Sequence, residues 1–253
     1  MSIKPISKKY FMDSYYSAST PVVPSYKALK GDITVDVCIV GAGYTGLSSA
    51  LHLAKRGYKV VILEAETVAF GASGRNGGHV GTGQRMEQQD IEKKFGRETA
   101  LSLWNMGLEA VDTVRDLILE NSIECDLKYG DVNFAHKPGY CKELEEEIEF
   151  FKNRYDFNDL EYIPRNRISE VIGSDVYYGA QWNKATLHLH PLKYALGLAK
   201  AAVDAGVTIY ENSRVQSYSG TPVIVKTGHG QVTASELILA CNGYIEDLEP
   251  KIN

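Results

Sequence analysis

The feature that most constrains the fold is a glycine-rich turn that lies between an apolar run and a helical run. Residues 35–40 are mostly apolar, residues 41–46 read Gly-Ala-Gly-Tyr-Thr-Gly, and a second apolar run, residues 58–63, ends on Glu64. The order strand, G-x-G-x-x-G, helix, strand, acid fits one βαβ unit. This pattern predicts a dinucleotide site, whereas the same glycines without flanking strands would indicate only an ordinary turn.

Each glycine of the turn has a physical reason. Gly41 permits a tight exit from the strand, and Gly43 has no Cβ, so a pyrophosphate can approach the backbone. Gly46 lets the helix pack closely on the strand, and the free N–H groups at the helix start favour an anion. Glu64 can accept hydrogen bonds from ribose hydroxyls and disfavours a 2′-phosphate. NADP is therefore disfavoured, while NAD and FAD both remain open.

A second glycine-rich stretch, Phe-Gly-Ala-Ser-Gly-Arg-Asn-Gly-Gly-His at residues 70–79, separates these two cofactors. Half of its residues are small, so its backbone can pass close to a flat ring, with Ser73 and Arg75 near the phosphates. A nicotinamide site has no need of such a segment. The alternative interpretation of the stretch is a mobile surface loop.

The two stretches together carry a family resemblance. The sequence CIVGAGYTGLSSALHLAKRGYKVVILEAE, followed by FGASGRNGGH, resembles the D-amino-acid-oxidase-type superfamily of FAD-dependent oxidoreductases, and within it the γ-glutamylputrescine oxidase branch. The resemblance extends over nearly the whole chain. It implies an α/β fold: a Rossmann-like FAD-binding domain with a mostly parallel sheet, and an inserted, helix-rich α+β lobe on the substrate side.

The resemblance also implies a set of FAD-binding residues in three groups. The adenosine-diphosphate group comprises Gly41, Ala42, Gly43, Tyr44, Thr45, Gly46, Glu64 and Ala65. The second flavin-contact segment comprises Ala72, Ser73, Arg75, Asn76, Gly77 and Gly78. The third group lies late in the chain, with Val215 against the adenine and Cys241, Asn242 and Gly243 near the dinucleotide.

The domain boundaries follow from the same resemblance and from composition. Residues 1–30, rich in Tyr, Ser, Lys and Pro, are expected to form an extended arm that packs on a neighbouring element or partner. Residues 31–85 and 186–253 are assigned to the FAD-binding domain and residues 86–185 to the substrate-side lobe. Members of the family continue well past the equivalent of Asn253. We therefore expect an N-terminal fragment without the C-terminal half of the family fold.

Periodicity predicts the elements of this α/β fold. Helices are expected within residues 85–121, 142–155 and 192–205. Strands are expected at residues 35–40, 58–63, 127–134, 177–187, 207–210 and 235–241, with a separate hairpin formed by 223–226 and 231–233. Strands separated by helices or long excursions favour a mostly parallel sheet.

Composition excludes several other classes of protein. The chain is 44% hydrophobic and 23% charged, as in a globular protein with a real core, and its net charge of −5 comes without a basic cluster. Nucleic-acid binding is therefore not expected. No apolar run approaches the length of a membrane span, and the N-terminus lacks the apolar stretch of a secretory signal.

The cysteines and histidines predict no metal site. Cys38, Cys125, Cys141 and Cys241 form no C-x-x-C pair, and the six histidines are scattered. Reduced thiols are expected, which favours a cytoplasmic location.

The resemblance implies a reaction as well as a cofactor. A small amine or amino acid would lose a hydride from carbon to flavin N5, water would hydrolyse the imine, and oxygen would take the electrons. This chemistry requires no acid–base pair, so His79 is the single candidate for a chemical role, with a structural hydrogen bond as the favoured alternative. Two other hypotheses stay open: a nucleotide-binding remnant without catalysis, and an NAD-dependent dehydrogenase.

Overall fold

The computed structural model describes residues 14–20, 24–245 and 248–250. Its helices are α1 (Tyr15–Ala18), α2 (Tyr44–Lys55), α3 (Gln88–Phe95), α4 (Arg97–Glu120), α5 (Pro138–Tyr155) and α6 (Pro191–Asp204). Its strands are β1 (Ile33–Val40), β2 (Val60–Leu63), β3 (His79–Val80), β4 (Lys128–Ala135), β5 (Leu160–Pro164), β6 (Gly179–His188), β7 (Thr208–Tyr210), β8 (Val215–Ser219), β9 (Val223–Thr227) and β10 (Gln231–Leu239). Three 3₁₀ turns span Ala72–Gly74, Arg165–Glu170 and Asn242–Tyr244.

The chain divides into two compact units. The first comprises Met1–Gly77, Leu117–Cys125 and His190–Asn253, as far as these ranges are described, and the second comprises Gly78–Asp116 and Asp126–Leu189. The assignment of one unit to FAD and the other to substrate stays a prediction.

The first unit is built on a six-stranded sheet in the order β7-β2-β1-β10-β9-β8. The first four strands run parallel to one another, and β9 and β8 continue the sheet antiparallel. The predicted α/β class with a mostly parallel sheet is therefore confirmed. Parallel strands are covered on both faces, which is why β2 is buried along its whole length.

Helix α2 packs against this sheet and against α6. Its buried side is Gly46, Leu47, Ala50 and Leu51, at the helical spacing that the sequence shows. The helix ends at Lys55, with Arg56 as its C-cap, and Gly57 follows with a φ of +90°, a left-handed conformation that glycine adopts without strain. The predicted βαβ unit thus forms as expected, with β1 and β2 as adjacent parallel strands.

The last part of this sheet differs from the prediction in two respects. The predicted hairpin strand at 231–233 and the predicted final strand at 235–241 are a single strand, β10. Its first half pairs antiparallel with β9, while its opposite edge pairs parallel with β1 from Val232 to Leu239. A strand has two edges and can therefore take two partners at once. Strand β8, which adds to β9, was not predicted.

The second unit contains a sheet in which β6 pairs antiparallel with β3, β4 and β5. Aromatic residues on α4, on α5 and just after α5 form a separate core, in which the ring of Trp104 lies 4.6 Å from that of Phe151 and 5.1 Å from that of Phe157. Helices and an antiparallel sheet together make this unit α+β.

The predicted N-terminal arm is described only in part. Residues 1–13, with Tyr10 and Phe11, and residues 21–23 lie outside the described residues. Within 14–20, α1 contacts α6, and the Ser19 hydroxyl lies 2.9 Å from Nε2 of His190. Within 24–30, Leu29 is buried in the core beneath the sheet. Among all described helices, none combines the length and the apolar character needed to cross a bilayer.

Candidate functional site

A cavity of about 350 Å³ lies in the first unit, at the carboxyl ends of β1, β2 and β10. We call it the strand-end cavity. In an open α/β sheet, ligands bind outside the carboxyl ends of the parallel strands. Ten of the residues predicted for the site line it: Gly41, Ala42, Gly43, Glu64, Ala65, Ala72, Ser73, Val215, Cys241 and Asn242.

The three glycines of the first turn leave no room for side chains. A Cβ on Gly41 would lie 2.6 Å from the carbonyl oxygen of Ala240, and the residue has a φ of +106°. A Cβ on Gly46 would lie 2.0 Å from the carbonyl oxygen of Gly41, and one on Gly43 would lie 2.8 Å from Oγ of Ser73. Gly41 and Gly43 thereby present backbone without side chains to the cavity, whereas Gly46 does not line it.

Helix α2 begins at this turn, and its N-cap residue, Gly43, has no side chain to cap it. The backbone N–H of Tyr44 donates to Oγ of Ser73 at 3.0 Å. The next N–H groups of the first turn belong to Thr45 and Gly46, and they precede the first intrahelical bond, from Leu47 N–H to Gly43 O. A helix start of this kind, with a hydroxyl beside it, fits a phosphate group.

Glu64 is held at the cavity by backbone donors. Its Oε2 accepts the N–H of Ala42 at 2.8 Å, and its Oε1 accepts the N–H of Glu66 at 2.9 Å. Each carboxylate oxygen can accept more than one hydrogen bond, so both can still accept from a ligand. A fixed carboxylate next to a bare glycine turn fits a ribose beside a diphosphate.

The segment 70–78 contributes to the cavity through only part of its length. Ala72 and Ser73 line the cavity, and the guanidinium of Arg75 lies 4.4 Å from the centre of the Phe70 ring, which also lines it. The Asn76 amide donates to the carbonyl oxygens of Ala72 and Ser73, both at 3.1 Å. Asn76 therefore braces the turn that carries Ser73.

Tyr44 joins this turn to α6. The Tyr44 hydroxyl accepts a hydrogen bond from the Asn76 amide at 3.2 Å and donates to the carbonyl oxygen of Pro191 at 3.1 Å. Burial raises the pKa of Tyr44 to about 12, so the hydroxyl keeps its proton at neutral pH. Tyr44 thereby links the helix start to its surroundings through both its backbone and its ring.

Several predicted residues do not line the strand-end cavity: Tyr44, Thr45, Gly46, Arg75, Asn76, Gly77, Gly78, Gly243 and His79. His79 is exposed at the start of β3 in the second unit, where its ring lies 5.2 Å from that of His188. Contacts of Arg75, Asn76, Gly77, Gly78 and Gly243 with a cofactor, and a chemical role for His79, stay predictions.

The cavity also has walls that the sequence analysis missed. Arg214 and Gln216 flank the predicted Val215, and Arg214 contacts Oε1 of Glu66 at 3.4 Å. Tyr244 packs over Gly71, where a Cβ would lie 3.2 Å from its ring. In the sequence, these residues could have been found only because they are adjacent to the predicted Val215 and Asn242-Gly243.

Two cysteines of the first unit, Cys241 in the cavity wall and Cys38 buried within β1, have raised pKa values. The thiol of Cys241 donates to the carbonyl oxygen of Val40 at 3.5 Å, and burial, with the nearby Glu64 charge, raises its pKa. Burial raises the pKa of Cys38 to about 12. A raised pKa lowers the thiolate fraction of both cysteines at neutral pH, which disfavours a nucleophilic role for them. Among the described residues, no three His, Cys, Asp or Glu side chains are grouped as metal ligands.

Comparison with known proteins finds both a family profile and individual relatives. The sequence profile of the DAO family, described as FAD dependent oxidoreductase, matches residues 36–253. The chain is 42% identical over 241 residues to gamma-glutamylputrescine oxidoreductase of Escherichia coli (strain K12). The match covers 94% of this chain and 56% of that protein, so the chain spans little more than half the length of this relative.

Solved structures show the same fold at low sequence identity. An L-amino acid deaminase from Proteus myxofaciens, in complex with anthranilate, aligns with a TM-score of 0.72 at 21% identity, over 88% of this chain and 48% of that one. Glycine oxidase from Geobacillus kaustophilus aligns with a TM-score of 0.65 at 22% identity, over 82% and 55% of the two chains. The predicted architecture is confirmed at the level of the fold.

Proposed function

Since the chain belongs to the DAO family of FAD-dependent oxidoreductases, we propose that its first unit binds the ADP half of FAD. We propose further that the whole protein oxidises a C–N bond of a small amine or amino acid. The observation that carries the proposal is the strand-end cavity, which brings a bare glycine turn, a helix start and a fixed carboxylate together.

Different residues around the cavity would bind different parts of the ADP half. The turn from Gly41 to Gly46 and the Ser73 hydroxyl would hold the diphosphate, because backbone N–H groups and the helix dipole favour negative charge there. Glu64 would accept the ribose hydroxyls, and Val215 would lie against the adenine. FAD, when bound, supplies the hydride acceptor, and the protein positions the substrate and excludes water.

The substrate class is proposed from the relative. The Escherichia coli protein is named for γ-glutamylputrescine, and 42% identity over nearly the whole of this chain favours an amine of related kind. Oxygen as the electron acceptor and the cytoplasm as the location belong to the same proposal. The NAD-dependent alternative has less support, because Ala72 and Ser73 of the second glycine-rich segment also line the cavity.

Titration with cofactors tests the proposal. The purified chain should bind FAD, detected by its visible spectrum and by quenching of flavin fluorescence, and should not bind NADH. The variant Gly43→Val should lose FAD and keep its far-UV circular dichroism, since the branched side chain would fill the place of the diphosphate. A colourless wild-type chain that cannot be reconstituted, or one that binds NADH and not FAD, would contradict the proposal.

A further inference from the structure

Glu211 is a buried carboxylate that the proposed function does not use. It follows β7 directly, and only 2% of its surface is exposed. Its Oε1 accepts the backbone N–H of Val68 at 2.8 Å, and its Oε2 accepts the backbone N–H of Tyr26 at 2.9 Å. One side chain therefore joins the end of β7 to two segments that are far from it in sequence.

The backbone around Glu211 extends these connections. The N–H of Asn212 donates to the carbonyl oxygen of Glu66, and the N–H of Ser213 donates to that of Glu64. The Ser213 hydroxyl accepts the N–H of Leu29 and donates to the carbonyl oxygen of Glu211, both at 2.9 Å. The Ser213 side chain thus holds the N-terminal segment but not Val68, whereas the Glu211 carboxylate holds both.

Val68 is the point at which the wall of the strand-end cavity is anchored. It is fully buried, and the next three residues, Ala69, Phe70 and Gly71, all line the cavity. Ala69 has a φ of +60°, which costs energy for a residue with a Cβ and persists only where the surroundings enforce it. The N–H of Ala69 donates to the carbonyl oxygen of Ala42, so this wall is fixed against the glycine turn at 3.0 Å.

The chemistry at Glu211 explains why a carboxylate stands there. Among the described residues, no Lys, Arg or His forms an ion pair with it, so two backbone N–H groups alone compensate its charge. Burial raises the pKa of Glu211, and the charge of Glu64 adds to the effect. An apolar residue would avoid this cost but would leave the buried Val68 N–H and the partly buried Tyr26 N–H unpaired, and an amide could accept only one of them.

We infer that Glu211 is a positioning residue for the cofactor site: by holding the Val68 N–H it fixes the cavity wall Ala69–Gly71, and by holding the Tyr26 N–H it braces that wall with the N-terminal segment. In its link to FAD the inference rests on the proposed function. The inference that Glu211 fixes the cavity wall depends only on the contacts of Glu211.

Amide hydrogen exchange of the cofactor-free chain tests the inference first. In the wild type, the Val68 amide should be protected at least tenfold more than that of Gly71, although both lie in a loop. In Glu211→Gln, exchange of the segment 67–71 should accelerate at least tenfold, because an amide group now faces one of the two N–H donors. The matched control, Ser213→Ala, removes the acceptor of the Leu29 N–H and should accelerate exchange near Leu29 but not at 67–71.

FAD binding then separates positioning from general stability. We expect Glu211→Gln to raise the dissociation constant of FAD about tenfold, equivalent to about 1.4 kcal/mol, and Ser213→Ala to change it less than about twofold, even where both lower the melting temperature equally. Unprotected Val68 in the wild type, unchanged exchange at 67–71 in Glu211→Gln, or equal loss of FAD in the two variants would overturn the inference.

The two proposals fail in different ways. If the wild type binds no FAD, the proposed function fails, and the exchange measurements still decide the role of Glu211 in the wall. If the wild type binds FAD and Glu211→Gln binds it equally well, the proposed function stands and the positioning role is wrong.

Discussion

The first turn of α2 and the end of β1 meet backbone to backbone: a Cβ on Gly46 would lie 2.0 Å from the carbonyl oxygen of Gly41 and 3.4 Å from Cγ2 of Ile39. The third glycine of the turn is therefore required by packing within the protein itself, before any cofactor is considered. The second glycine, Gly43, faces the cavity and the Ser73 hydroxyl instead. Substitutions at Gly46 and at Gly43 can therefore be tested separately.

Gly46→Ala should destabilise the fold. The new methyl group meets a backbone oxygen that cannot rotate away, so α2 must shift, at a cost of about 1–3 kcal/mol. Gly139→Ala is the matched control, because a Cβ on Gly139 in α5 has open space around it and alanine favours the helix. Urea unfolding should show a loss of free energy for the first variant and no loss for the second. Equal stabilities would contradict the packing argument.

Gly43→Ala and Ser73→Ala should be coupled. The first variant places its Cβ 2.8 Å from Oγ of Ser73, and the second removes the acceptor of the Tyr44 N–H, at a cost of about 1 kcal/mol. In the double variant, the remaining Ser73 Cβ position is 3.7 Å away, an ordinary contact. The double variant should therefore lose less stability than the sum of the two, by at least about 0.5 kcal/mol in urea unfolding. Additive losses would mean that the two groups do not meet.

The βαβ unit and much of the site could be predicted because their signals are local. The glycine turn, the helix and Glu64 lie within about one supersecondary unit. Each residue type there is required by residues that are close to it in sequence. Ala72 and Ser73 follow shortly after and also reach the strand-end cavity. The resemblance to the family then supplied the distant Val215, Cys241 and Asn242, which line the same cavity.

The remaining features depend on pairings between distant parts of the chain. Glu211 meets Val68 across 143 positions and Tyr26 across 185, so no local pattern distinguishes it from any acid that ends a strand. The same reason explains the error at β10. Periodicity shows that residues 231–239 are extended, but not that one edge would pair with β9 while the other pairs with β1.

Glu64→Gln should weaken FAD binding more than Glu66→Gln does. Glutamine at 64 leaves either the Ala42 or the Glu66 N–H without its acceptor and removes the charge that ribose hydroxyls would contact. Hydrogen bonds to charged groups contribute about 1.5–3 kcal/mol, so the dissociation constant should rise roughly 10- to 100-fold. Glu66 also lines the cavity, but its pair with Arg214 is 46% and 58% exposed and contributes at most about 1 kcal/mol. Flavin fluorescence titration measures the dissociation constant of FAD for both variants. An equal rise in the two variants would show that Glu64 does not have its proposed role.

Alkaline pH should unfold the chain over a defined range. Burial raises the pKa of Cys38 from 9.0 to about 12, and the pKa values of Tyr26 and Tyr44 from 10.0 to about 12. The folded state therefore favours the protonated forms, and this stabilisation is fully present below the unfolded values. It is lost as pH rises through the folded values, so the free energy of unfolding should fall between about pH 9 and pH 12. Urea unfolding at a series of pH values measures the fall. Tyr26→Phe removes one titrating group and should make it shallower above about pH 10; an unchanged slope would show that Tyr26 ionises in the folded chain as freely as in the unfolded one.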